Sequence, residues 1–464
     1  MALLRKKTLI AALLPLLFAL PQNVAAETIF GAMAKAYEHN PDLNAARAAL
    51  RAVDENVTIA KAPMRPQIDG VAEADASRTI FDRPIVSGLG SSASRRTDSA
   101  GASYGISITQ QIFDGFQTAN RVRAAEADVL ATRESLRANE ISILLSAAEA
   151  YANIARDQQI VSIRRQNLQF LREQLNAAEA RLQVGEGTRT DVSQAEAELA
   201  GAQALLASAI SQLKQSEAVY VQIVGETPTG IKQPEPATKS MPSGLDQAVA
   251  IGMREHPSIL AAQRTVDAAG YNVKAAEGAM LPGVSLQGQV SRSTGSGSSD
   301  DNVTGSVSAR VTIPLYQGGA EYGAIRQAKE QLGESRILVD SARMEVQRTI
   351  ATAHAQLEAA RAAISANRSQ IRAANMALEG VIEERNVGQR TTLDVLNAQQ
   401  TVLDAREALA GTQRDAVVAS YSLLAATGRL TVSSQNLKVA EYRAEKHYEA
   451  VKDKWFGLRT VDGR

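Results

Sequence analysis

The chain has 464 residues, with 50 Lys and Arg balancing 50 Asp and Glu, no Cys, and only 4% aromatic residues. The missing Cys excludes disulfides, thiolate metal sites and a lipid-bearing N-terminal Cys, and the even charge argues against a nucleic-acid partner. Abundant Ala with few aromatics suits long, thin, closely packed helices better than a wide globular core.

Residues 1–26 read as a signal peptide: basic Arg5-Lys6-Lys7, an apolar run from Leu9 to Leu20, and a small-residue cleavage site at Val24-Ala25-Ala26. A run of twelve is too short to cross a bilayer as a helix, which takes about 20 residues. The mature chain is expected to start near Glu27 in an exported compartment, with 47 basic against 50 acidic residues and a net charge of −3. No later stretch reaches the length of a transmembrane helix, so any crossing of a membrane falls to strands.

Two similar halves follow. The first, 27–225, reads as a helix, strands at about 67–77 and 99–112, a long helix over 116–184 and a return helix over 188–224. A linker at 226–244 leads to the second, 245–428: a helix, strands at about 283–292 and 302–315, a long helix over 319–387 and a return helix over 391–427. Residues 429–464 read as a separate C-terminal segment, periplasmic by the family resemblance given below. Asn40-Pro41 matches His256-Pro257, and Gly115, Gly185 and Gly225 match Gly318, Gly388 and Gly428 at a constant step of 203. Between Pro66 and Gly115 the first half carries 13 extra residues relative to the second, so the pattern is a duplicated unit with one loop insertion.

Each long helix meets its return helix through the phrase V-G-x-x-T-x-x-D-V, at Val184–Val192 and again at Val387–Val395. Gly185 and Gly388 suit a left-handed helix end, Thr188 and Thr391 suit an N-cap, and Asp191 and Asp394 complete a capping box. Ile154, Val161, Leu168, Leu175 and Leu182 recur every seven residues, as do Ile364, Ile371 and Leu378. The return helix alternates steps of three and four from Val192 to Ile223, a coiled-coil seam with small residues that bring backbones close. The strands have period two, one face apolar (Ile68, Ala72, Ile106, Val290, Val307) and the other rich in Ser and Thr, as expected for lipid outside and lumen inside. Four strands cannot close a barrel and open edges are not tolerated in lipid, so subunits must pool them. The Gly-Ser run near 295 lacks G-K-[ST] and is not a phosphate cradle.

These features together resemble the TolC family of outer-membrane efflux and secretion ducts over essentially the whole mature chain. The resemblance implies an α+β membrane protein: a long antiparallel α-helical coiled-coil barrel continuous with a transmembrane β-barrel, four strands per subunit, closed by trimerisation. It implies as partners a periplasmic membrane-fusion adaptor, an inner-membrane pump of ABC or RND type and outer-membrane lipid, with a closed periplasmic tip that opens when the pump docks. His447 to Gly457 looks like the branch serving type I protein secretion. By the same resemblance Asp394 matches an acidic ring at the constriction, and Arg390 matches a basic position that bonds the Asp of the neighbouring first tip, here Asp191. A second acidic ring often lies three residues on, where this chain has Asn397, which argues against a two-ring gate.

No catalytic site, metal site or cofactor is expected: His39, His256, His354 and His447 are scattered, and no P-loop, H-E-x-x-H or serine elbow occurs. Acids and bases along the helices read as solvated faces. The rival from another class is a periplasmic coiled-coil scaffold or adaptor with no pore, which accounts for the heptads but not for two equivalent pairs of hydroxyl-lined strands.

Overall fold

The computed structural model describes residues 27–81, 95–295 and 302–463. The expected signal peptide and much of both hairpin loops lie outside that range. Each half opens with two helices where one was expected: α1 (Ile29–His39) and α2 (Pro41–Lys61), then α5 (Leu245–Glu255) and α6 (Pro257–Gly278). A proline ring clashes with a helical residue before it, so Asn40 and His256 are extended and start a new helix. The Asn40 side chain accepts from the N–H of Asp42 (2.9 Å) and Leu43 (3.1 Å), and His256 Nδ1 accepts from Ser258 N–H (3.2 Å).

The strands are β1 (Gln67–Phe81), β2 (Arg95–Phe113), β3 (Gly283–Gly295) and β4 (Asn302–Thr312), antiparallel in the order β1-β2-β3-β4. β1 and β2 run past their expected ends, and Arg78 pairs with Asp98 (2.7 Å) across that extension. β4 stops short of the expected 315 because Pro314 lacks the N–H a ladder needs. The register keeps the two faces separate across all four strands. Ile108 is opposite Ile68 and Gly288, which faces Val307; on the other face Ser107 is opposite Asp69 and Gln289, which faces Ser306. The apolar row is open to the surroundings, Val307 being 80% exposed.

Below the sheet run α3 (Gln117–Gln183) and α7 (Ala320–Asn386), 67 residues each. That length is about 100 Å at 1.5 Å per residue. They start later than expected because Phe116 (φ 64°) and Gly319 (φ 87°) are left-handed caps. Gly115 at the joint has no alternative: its φ is 67°, and a Cβ there would lie 2.2 Å from the Gly278 carbonyl oxygen. The return helices are α4 (Arg189–Val224) and α8 (Thr392–Ala426), and a short α9 (Ala444–Val451) follows. Half-length helices stack along the long ones: α3 packs on α2 and α6, and on α4 and α8, while α7 packs on α5, α6 and α8. Among the described residues no helix is long and apolar enough to cross a membrane.

The main core is a belt at mid-length, where α1, α2, α3, the ends of α4 and α8 and the C-terminal segment meet around the fully buried Tyr37, Tyr151, Tyr220 and Tyr421. Tyr151 Oη donates to the Glu27 carbonyl (2.6 Å) and accepts from Lys232 N–H (3.0 Å), so the ring buries without an orphaned hydroxyl. Along α3 the heptad seam is buried at Ile154, Val161 and Leu168 but only half-buried at Leu175 and Leu182. Packing thins toward the tips.

Candidate functional site at the helical tips

Both tips are built alike. Gly185 (φ 82°) and Gly388 (φ 80°) turn left-handed, and the next residue closes the helix end, Glu186 N–H to Arg181 O (2.9 Å) and Gln389 N–H to Glu384 O (2.8 Å). Thr188 Oγ1 accepts from Asp191 N–H (3.2 Å) while Asp191 Oδ2 accepts from Thr188 N–H (3.0 Å). Thr391 and Asp394 repeat the box at 3.2 and 2.9 Å. Bonds from the Thr391 backbone N–H and then its hydroxyl, with Arg390 beside it, hold the Asp394 carboxyl below the usual range.

Arg390 does not reach Asp191 within one chain. Its Nε bonds Glu384 Oε2 at 2.8 Å, six residues back on its own hairpin, and that pair raises the guanidinium's pKa. The Schellman turn explains the preference: it folds residue 390 back over the last turn of α7, next to Glu384. Asn397 is exposed one turn into α8, its carbonyl accepting from Thr401 (3.0 Å).

Polar groups that read as solvated faces instead tie the two hairpins together. Arg164 on α3 forks onto Glu407 on α8 (2.6 and 3.0 Å) and donates to the Leu205 carbonyl on α4 (2.7 Å). The Glu407 carboxylate raises the pKa of Arg164, and both side chains are about four-fifths buried. Nearer the tip, Gln399 bonds Asn167 (2.8 Å), Arg385 bonds Gln174 (2.6 Å) and Arg181 bonds Asn386 (3.3 Å). Burial, and then the neighbouring Arg181, pulls the pKa of Arg385 down. The heptads carried a signal for this: Arg164 and Asp157 occupy seam positions three residues after Val161 and Ile154, where a polar residue fixes register at a cost in packing. Asp157 is buried and bonds Ser216 on α4 (2.6 Å). The tips are therefore joined by directional bonds around a small apolar cluster, Leu396 on α8 with Leu168 and Leu171 on α3 and Ala202 on α4. Water can satisfy the polar groups once they part, so that share of the contact separates more cheaply than a wholly apolar seam.

A family model described as outer membrane efflux protein matches residues 32–226 and 253–429, one stretch for each hairpin. The chain belongs to this family. It is 48% identical over 445 residues to the outer membrane efflux protein BepC of Brucella suis, covering 96% of this chain and 94% of that one. It is 25% identical over 348 residues to the alkaline protease secretion protein AprF of Pseudomonas aeruginosa, covering 73% and 72%. The CmeC outer membrane channel of Campylobacter jejuni shares the fold, with a TM-score of 0.75 at 15% identity over 92% of this chain and 89% of that one. This efflux protein is thus an outer-membrane channel whose long helices form its periplasmic part. The pore-free scaffold gains no support from these relatives.

Proposed function

We propose that three copies close head to tail into one twelve-stranded barrel and one helical tunnel, with the six tips forming a constriction in the periplasm. The difference between α3 and α7 carries this reading. α3 receives its own α1, α2 and α4 and, on the other flank, α6 and α8 of the second half; α7 has its own α5, α6 and α8. By the duplication, the helices that would complete α7 are α2 and α4 of another copy. Edge strand β4 would likewise take the next copy's β1, as β2 takes β3, which removes the open edges that lipid forbids. Gly318 fits the same scheme: it is the counterpart of the tightly packed Gly115, yet nothing lies within 4 Å of a Cβ built on it.

In such a ring three Asp394 carboxylates face one axis. Their repulsion opposes the cap that holds each one ionised, so the ring attracts cations or takes up protons. Arg390 of one copy then lies beside a neighbouring first tip, where Asp191 is available as an alternative to Glu384. Docking of a periplasmic adaptor and an inner-membrane pump would open the tips by exchanging the cross-hairpin bonds. The cargo is a drug-like solute, an exported protein or both; the likeness to a protease secretion protein supports the second. Single-channel recording of the mature protein in planar bilayers, wild type beside Asp394→Ala, tests the gate. Small cation-selective openings that lose selectivity in the variant support it. Selectivity unchanged by the substitution moves the constriction elsewhere.

A further inference from the structure

Beyond α9 the chain runs along α2 toward the sheet as a strap held by side chains of that helix and of the turn that follows it. Thr58 Oγ1 donates to the Val451 carbonyl (2.7 Å), Lys61 Nζ to the Lys452 carbonyl (3.0 Å) and the Asp453 carboxylate (2.9 Å), and Arg65 Nη1 to the Lys454 carbonyl (3.2 Å). The last tie lies at the foot of the barrel: Arg65 is two residues before β1, and the adjacent Met64 carbonyl accepts from Gln110 Nε2 on β2 (3.1 Å). There the Arg65 guanidinium stacks on Trp455, 4.8 Å from the ring centre. The strap then presents Lys454-Trp455-Phe456-Gly457-Leu458-Arg459, three large apolar side chains bracketed by two cations with no acid among them. Trp455 is 63% exposed, Phe456 88%, and Leu458 wholly. Gly457, at φ 113°, makes the turn that sets Leu458 beyond the aromatic pair.

We propose that this hexapeptide is a membrane-interface anchor that inserts Trp455, Phe456 and Leu458 among phospholipids of the periplasmic leaflet of the outer membrane. Two observations choose lipid as the occupant. The site is continuous with the barrel's own lower rim, where Met64, Phe116, Leu281 and Tyr316 are also exposed. Trp and Phe flanked by Lys and Arg is the composition that partitions to head-group depth, rings toward the acyl chains and cations toward phosphate. The strap thereby couples the belt, through α9 and α2, to the membrane surface. This inference rests on the outer-membrane location and not on the number of copies.

Trp455 is the one tryptophan of the chain, so its emission reports the site directly. The mature full-length protein is reconstituted into phosphatidylethanolamine–phosphatidylglycerol vesicles containing a lipid brominated either near the head group or near the chain end. Quenching by the shallow bromines should exceed that by the deep ones at least roughly twofold, with aqueous iodide nearly ineffective. Free quenching by iodide with none from lipid overturns the anchor, and so does quenching by neither, which would place Trp455 against protein. Phe456→Ser with Leu458→Ser keeps the reporter and removes only exposed side chains; iodide access should rise in this variant. Emission unchanged from wild type would also overturn the proposal.

Discussion

Helices α3 and α7 have the same length and align residue for residue at a step of 203, yet 22 residues of α3 are buried against 7 of α7. One seam is buried in both: Leu136 and Val339, Ala147 and Ile350, Ile154 and Leu357. The difference lies off that seam, where Ile141 is buried and its counterpart Met344 is 72% exposed. Duplicated sequence thus gives each hairpin the same internal contacts, while position in the chain decides what else covers it. α3 lies between two hairpins. α7 is a margin.

Twin substitutions sharpen that contrast. Tyr151→Ala removes a fully buried ring with its two bonds and should cost about 3–5 kcal/mol, read as a lower thermal unfolding midpoint. His354→Ala, at the counterpart position on α7, loses a side chain about one-fifth exposed and should cost less, about 1 kcal/mol. Equal shifts would mean that α7 is as deeply built in as α3.

Next in size is Arg164→Ala, which unpairs the largely buried Glu407 and frees the Leu205 carbonyl, worth roughly 1–3 kcal/mol. Resting conductance should rise, because this bond holds α8 to α3. Asn367→Ala, its twin on α7, loses only a bond to Thr412 (3.1 Å) inside its own hairpin and should leave conductance unaltered.

The smallest expected effect is on acid stability. Glu255 at the end of α5 accepts a fork from Arg429 (2.9 and 3.2 Å), and Arg429 followed by Arg254 lowers its pKa from 4.5 to about 2. The lowered pKa makes this contribution complete above pH 4.5 and lost as pH falls toward about 2. Discounted for a pair about one-third exposed, it amounts to about 1 kcal/mol. Glu255→Gln should flatten stability across that window. The matching step of the first half carries Glu226 bonded to Lys35 (2.8 Å), so the two halves keep a tether there with different residues.

Element order, the two capping boxes and the faces of the sheet were open to reading because each depends on local geometry: period two, period seven, and a Gly three residues before a Thr. The break at Asn40-Pro41 was visible as a proline, but its consequence, two helices that let α1 turn into the belt, depends on tertiary packing around Tyr37 and Tyr151. Arg390 pairs with Glu384 because the turn bends back on itself, a contact that spacing along a straight helix does not suggest. The bonds from Arg164, Asn167 and Arg385 cross between hairpins more than 200 residues apart, and nothing in a heptad says which polar residue will meet which. The strap from 452 to 459 has no periodicity at all; its place follows from α2 and the turn after it, where Lys61 and Arg65 hold its carbonyls.

The central claim is that the free flank of α7 is completed by another copy. Native mass spectrometry of the mature protein in detergent, wild type beside Leu338→Asp with Met344→Asp, tests it most directly, since both side chains are exposed in the single chain. The account predicts three copies for wild type and single, folded chains for the variant. A wild type that remains single, or a variant that still assembles as threes, would contradict it.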